Sequence, residues 1–188
     1  FAQASKYLKK AMELDKNNSD AYIVLGYLLA MKKNHEEAIA AAKKAITLNP
    51  NSADAYFELG CALHWSNRSE EAINYIKKAI RLNPMPPTLY IHRLGLCYLD
   101  LERFEEALKY FKKAIEISSV FLWTHFNLAI TYIYLGRERE AREALERGRA
   151  EHLRRRRPDL GGGGRLSRLP RPRPGHLPGL AGPTPTPG

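Results

Sequence analysis

The amino-acid sequence predicts an all-α chain, a solenoid of antiparallel helix pairs followed by a disordered tail. Three observations carry this reading. A small residue recurs as Ala4, Ala38, Ala72, Ala107 and Ala141, at spacings of 34, 34, 35 and 34. A second small series lies seven residues on, at Ala11, Ala45, Ala79, Ala114 and Gly148. A Leu–small pair precedes both: Leu25-Gly26, Leu59-Gly60, Leu94-Gly95 and Leu128-Ala129. Self-similarity at this period marks stacked helical hairpins, each needing its neighbours to bury its apolar stripe.

The elements follow in order. Residues 1–18 match only the second helix of a unit, through Ala4, Leu8 and Ala11. The chain thus opens inside a repeat, and it is expected to be a piece of a longer protein with an exposed apolar end. Residues 19–52 and 53–87 are the first two full units. In residues 53–87, Tyr56, Leu59, Gly60 and Leu63 stripe one helix, and Ala72, Ile73, Ile76, Ala79 and Ile80 stripe the next. The polar SNRSE between them is short enough to force an antiparallel hairpin. Asn49-Pro50 and Asn83-Pro84 end the second helices, because a residue before proline is pushed out of the α region. Pro86 and Pro87 add one residue to the period and stiffen the entry to the third unit, residues 88–121, where a slight change of superhelical angle is expected. The fourth unit and its C-terminal helix span residues 122–157, with Glu138 and Glu140 early and Arg154 to Arg157 late, as the helix dipole favours.

Residues 158–188 hold 8 of the 12 prolines and 8 of the 13 glycines, without apolar periodicity. Such an Arg/Pro/Gly-rich segment cannot recover its ordering entropy by burial and is expected to be disordered. The net charge of +10 is uneven: 22 Lys and Arg face 19 acids up to residue 153, then 8 Arg face Asp159 alone. The tail could therefore meet nucleic acid or an anionic surface, but it lacks the aromatics that stack on bases, so nucleic acid is not the expected partner. No run of about 20 apolar residues is present to span a membrane, and no secretory leader pattern opens the chain; a cytoplasmic setting is expected. Cys61 and Cys97 read as small packing residues rather than a disulfide framework.

These residues resemble the tetratricopeptide repeat (TPR): Tyr22, Leu25, Gly26, Leu29, Ala38, Ala42, Ala45 and Pro50 in the first full unit, then Tyr56, Leu59, Gly60, Leu63, Ala72, Ile76, Ala79 and Pro84 in the second. Ile91, Leu94, Gly95, Tyr98, Ala107, Phe111 and Ala114 continue it. In the fourth unit, His125 occupies the aromatic slot and Gly148 the last small slot. The resemblance implies a right-handed superhelix whose first helices line a concave groove. It places in that groove Ile23, Tyr27, Phe57, Cys61, His64, Trp65, His92, Leu96, Trp123, Phe126, Asn127, Ile130 and Tyr134, with Asp20, Ala30, Met31, Asp54, Glu58, Leu89, Arg93, Leu99, Asp100 and Ile133 at the remaining groove positions. The implied function is a non-catalytic scaffold for a protein or peptide, since aromatic side chains dominate binding hot spots. The subtype that grips a C-terminal carboxylate with Lys and Asn has Ile23 and Tyr27 in those slots here.

A weaker likeness links NPNSADAY, NRSEEAI and RLNPMPPTLYIHRLGLCYLDLERFEEAL to the repeat region behind bacterial class III adenylate cyclase-type signalling domains. It implies a regulatory or self-associating segment of such a protein, associating through the solenoid ends. No cofactor, metal or small-molecule substrate is expected. His64, His92 and Cys61 fall short of a four-ligand zinc set. Glu36-Glu37, Glu70-Glu71 and Glu105-Glu106 are solvated helix starts. No phosphate-loop or nucleophile-elbow motif occurs.

Overall fold

The computed structural model describes residues 2–118 and 122–156, so the expected disorder of residues 158–188 lies outside the described residues. Among the described residues there are nine helices and no strand: α1 (Ala2–Leu14), α2 (Ser19–Met31), α3 (His35–Leu48), α4 (Ala53–Trp65), α5 (Ser69–Leu82), α6 (Thr88–Asp100), α7 (Phe104–Ile117), α8 (Leu122–Tyr134) and α9 (Glu138–Arg156). After α1 they pack as four pairs, α2 on α3, α4 on α5, α6 on α7 and α8 on α9. Each second helix then packs on the first helix of the next pair, which makes the array an all-α solenoid.

Local chemistry closes every hairpin in one way. Each link is three residues long, and its middle residue is left-handed: Lys33 at φ 64°, Asn67 at 64°, Glu102 at 56° and Gly136 at 70°. The next N–H then reaches back to the helix it has left, Asn34 to Leu29, Arg68 to Leu63, Arg103 to Tyr98 and Arg137 to Tyr132, at 3.0, 2.9, 2.9 and 2.9 Å. That bond satisfies carbonyls that a helix end would otherwise orphan. Between pairs, Asn18 and Ser52 cap α2 and α4 by accepting the N–H of Ala21 at 2.9 Å and of Ala55 at 3.2 Å. Pro87, just before α6, lends its carbonyl to the N–H of Tyr90.

The small residues of the repeat are the contact points between helix backbones. Ala38, Ala72, Ala79, Ala107 and Ala114 are wholly buried. A Cβ at Gly60 would lie 2.5 Å from Ile76 Cγ1, and one at Gly95 2.7 Å from the Phe111 ring. Glycine lets α5 and α7 approach by the width of a methyl group, and Ile76 and Phe111 fill the space so closed. The fourth pair departs from this recipe in a linked way. His125 is buried in the aromatic slot, and a Cβ at position 148 would meet its Cβ at 2.6 Å.

Successive first helices also touch: α2 meets α4, α4 meets α6 and α6 meets α8, with no comparable packing among the second helices. The array therefore curves with α2, α4, α6 and α8 on its inner side. At the opening end, α1 buries Leu8 with Ala21 and Leu28 and leaves Tyr7 and Leu14 exposed.

Candidate functional site

The inner side of α2, α4, α6 and α8 carries the residues placed in the groove by the repeat pattern, at three depths. Tyr27, Trp123, Phe126, Ile130 and Tyr134 are exposed, Trp123 at 72% and Tyr134 at 64%. Ile23, His64, Trp65, Leu96 and Asn127 are half-buried. Phe57, Cys61 and His92 are buried, Cys61 at 2% and His92 at 6%. These three lie beneath the surface, and the first two sets are the ones open to solvent.

Aromatic contacts organise the exposed set. The Tyr27 and Trp65 rings, on α2 and α4, lie 6.5 Å apart at 52°. Trp123 and Phe126 on α8 are 6.1 Å apart, and Tyr134 stacks on Phe104 of α7 at 4.8 Å. The exposed rings thus fall into two groups, Tyr27 beside the half-buried Trp65, and Trp123, Phe126 and Tyr134 along α8, and leaving such large rings in water is unfavourable.

Polar contacts join α4 to α6 and α6 to α8. The Tyr90 hydroxyl donates to the Asp54 carboxylate, and the Tyr90 ring stacks on Phe57 at 4.1 Å and 12°. His64 Nε2 is 2.6 Å from Asp100 Oδ2, which also accepts from the Ser69 hydroxyl at 3.5 Å. His92 Nδ1 is 3.0 Å from the Thr124 hydroxyl, tying α6 to α8. Burial lowers both histidines, His64 with partial relief from Asp100, and His92 to about 4 with Arg93 pushing the same way. Burial raises the thiols of Cys61 and Cys97, the latter to about 12, which leaves them as neutral packing groups. Among the described residues, no group of three or more His, Cys, Asp or Glu is placed to hold a metal ion.

Two charged residues stand out among the groove positions. Glu58 is 6% exposed, its Oε1 has no hydrogen-bond partner, and burial lifts its carboxyl to about 7 against the pull of Arg93. The Arg93 guanidinium lies 5.0 Å over the Trp65 ring, with its buried Nε unpaired. The pattern that located the groove passes through both positions, but it favours apolar and aromatic types and gives no weight to a lone acid and a lone base. Their separation of 35 residues, one repeat, was the available signal.

An array of antiparallel helix pairs with an aromatic inner face defines a protein-interaction scaffold. Four repeat models match the chain: those described as tetratricopeptide repeat over residues 87–150, 53–86 and 7–40, and one described as TPR repeat over residues 26–66. The chain belongs to the tetratricopeptide repeat family. Among solved structures it is similar to MamA, at a TM-score of 0.69 and 25% identity over 80% of this chain and 87% of that one. It is also similar to YrrB, described as a TPR protein with an unusual peptide-binding site, at 0.63 and 25% over 78% of this chain and 75% of that one. PilF of Pseudomonas aeruginosa shares the fold, at 0.71 and 22% over 80% of this chain and 68% of that one. No curated protein matches. The adenylate cyclase-type likeness has no counterpart among these matches. No helix among the described residues is long and apolar enough to cross a membrane.

Proposed function

We propose that this chain is a non-catalytic scaffold that binds a peptide or amphipathic helix of another protein along the inner face of α2, α4, α6 and α8. The observation that carries the reading is the run of exposed rings on one face. Trp123, Phe126, Ile130 and Tyr134 are spaced at three and four residues along α8, so they form one ridge of a helix that should have polar residues facing water. Trp65 and Tyr27 extend the aromatic surface to α4 and α2. Such a surface suits the apolar face of a partner helix or alternate side chains of an extended peptide. The likeness to YrrB, whose described peptide-binding site belongs to that protein, supports the same class of ligand.

The test is affinity capture with the purified chain and its Trp123→Ala and Trp65→Ala variants. Trp123 is so exposed that its removal should leave the far-ultraviolet circular dichroism unchanged. A partner bound by the wild type should be lost or weakened about tenfold or more by either variant, as hot-spot truncation does. Undiminished capture by both variants would place the contact elsewhere.

A further inference from the structure

We infer that Arg93 receives an internal acidic side chain, Asp or Glu, of the peptide bound in the groove; this deepens the groove reading and rests on it. Three observations support the inference. The guanidinium lies 5.0 Å over the half-buried Trp65 ring, a cation–π contact. Its Nε is buried with no acceptor, and among the described residues no carboxylate lies within ion-pair distance of it. By contrast, Arg68, Arg103 and Arg137, exposed at the hairpin turns, hold Glu71, Glu106 and Glu140 at 2.7, 2.5 and 2.6 Å. Arg93 is thus a cation held against Trp65, with a side-chain contact to the Cys61 thiol and, among the described residues, no carboxylate in ion-pair range, and its planar donor fork matches a carboxylate.

The neighbouring acids do not fill the role. Asp100 is engaged by His64 and Ser69, and Asp54 by Tyr90. Glu58 is sealed against Gly26, where a Cβ would come within 3.3 Å of its Cγ, and burial keeps its carboxyl neutral up to about 7. The ligand group is an internal side chain because the groove continues on both sides. Tyr27 lies exposed on α2, and Phe126 and Ile130 lie exposed on α8. A peptide touching both flanks runs past Arg93 rather than ending at it, so its sequence carries one acid between apolar residues.

The experiment probes an array of N-acetylated, C-terminally amidated peptides with the full chain. The peptides carry Leu and Phe at alternating helical spacing with Ser between, and one scanned position holds Asp, Glu, Asn, Gln or Lys. Duplicates end in a free carboxylate. At one central position the wild type should favour Asp or Glu over Asn or Gln by about 10- to 100-fold, the worth of one charge-assisted contact. Arg93→Gln should erase the preference while still binding the apolar frame. Arg93→Lys should keep part of it, and it serves as the reporter if Arg93→Gln fails to fold by circular dichroism. The inference is overturned if the acidic preference survives Arg93→Gln, or if only the free-carboxylate duplicates bind. Apolar peptides that bind with no acidic preference overturn it too and leave the groove standing. Failure of every peptide to bind removes both.

Discussion

The ring of Phe57 lies flat on that of Tyr90, with centroids 4.1 Å apart and planes at 12°, joining the first helices of two successive pairs. The Tyr90 hydroxyl completes the joint by donating to Asp54 one turn before Phe57. Both rings are buried, so the stack contributes by area and the hydroxyl by not being orphaned. Tyr90→Phe keeps the first contribution and loses the second, leaving the Asp54 carboxylate short of one donor. Urea denaturation should show a loss of about 1–2 kcal/mol for Tyr90→Phe and about 3–5 kcal/mol for Tyr90→Ala. Equal losses in the two variants would mean that the stack contributes nothing.

The stability of the array should carry two opposed pH slopes. Glu58 is lifted from 4.5 to about 7 by burial, with Arg93 opposing, so the folded chain holds a proton that the unfolded chain has released. Its contribution is whole below pH 4.5 and drains as pH rises to about 7. His92 is lowered from 6.5 to about 4 by burial and then by Arg93, so its contribution is whole above pH 6.5 and drains as pH falls to about 4. Each window spans about 3 kcal/mol, and His64 leans the same way as His92. Glu58→Gln removes the first slope alone. Its stability relative to wild type should therefore rise by about 2 kcal/mol between about pH 5 and about pH 7.5, measured as urea midpoints at constant ionic strength. A difference that does not change with pH would show that Glu58 titrates in the ordinary range.

The left-handed slot of the hairpin turn is filled by Lys33, Asn67, Glu102 and Gly136. A side chain there costs about 1–2 kcal/mol, while glycine gives back about half of that through the freedom of its unfolded chain. Glu102→Gly and Lys33→Gly should each raise the unfolding free energy by about 0.5–1 kcal/mol, and Gly136→Ala should lower it by a similar amount. A Cβ at position 136 meets nothing within 4 Å, so that last loss isolates backbone strain from packing. Thermal melts with opposite signs for the two kinds of change are the expected outcome; melts of one sign would refute the assignment.

Much of the fold was legible because the determinants are local and repeated. Ala72, Gly60 and Ile76 each do at one position what Ala107, Gly95 and Phe111 do a repeat later. The fourth pair was less legible: read singly, His125 and Gly148 are two departures from the pattern, yet the glycine vacates the volume that the imidazole occupies. Sequence distance hides that compensation, because it acts across the hairpin. The groove's location came from periodicity, but its depth did not. Helical spacing cannot tell Phe126, open to water, from Phe57, closed over by Tyr90 from the next pair. Arg93 was hidden for the same reason. The role proposed for it depends on which acids its neighbours have already engaged, and that is a property of contacts between units.

Because each helix pair leans only on the pairs beside it, the distance from Tyr27 to Trp123 is the sum of several small inter-pair rotations and is fixed by no single contact. A slight change at every joint therefore accumulates into a large change in span, as in a coil spring under light load. A rigid partner helix touching both ends would act as a strut, selecting one extension from a continuum. Binding would then be felt as stiffness at joints far from any side chain it touches.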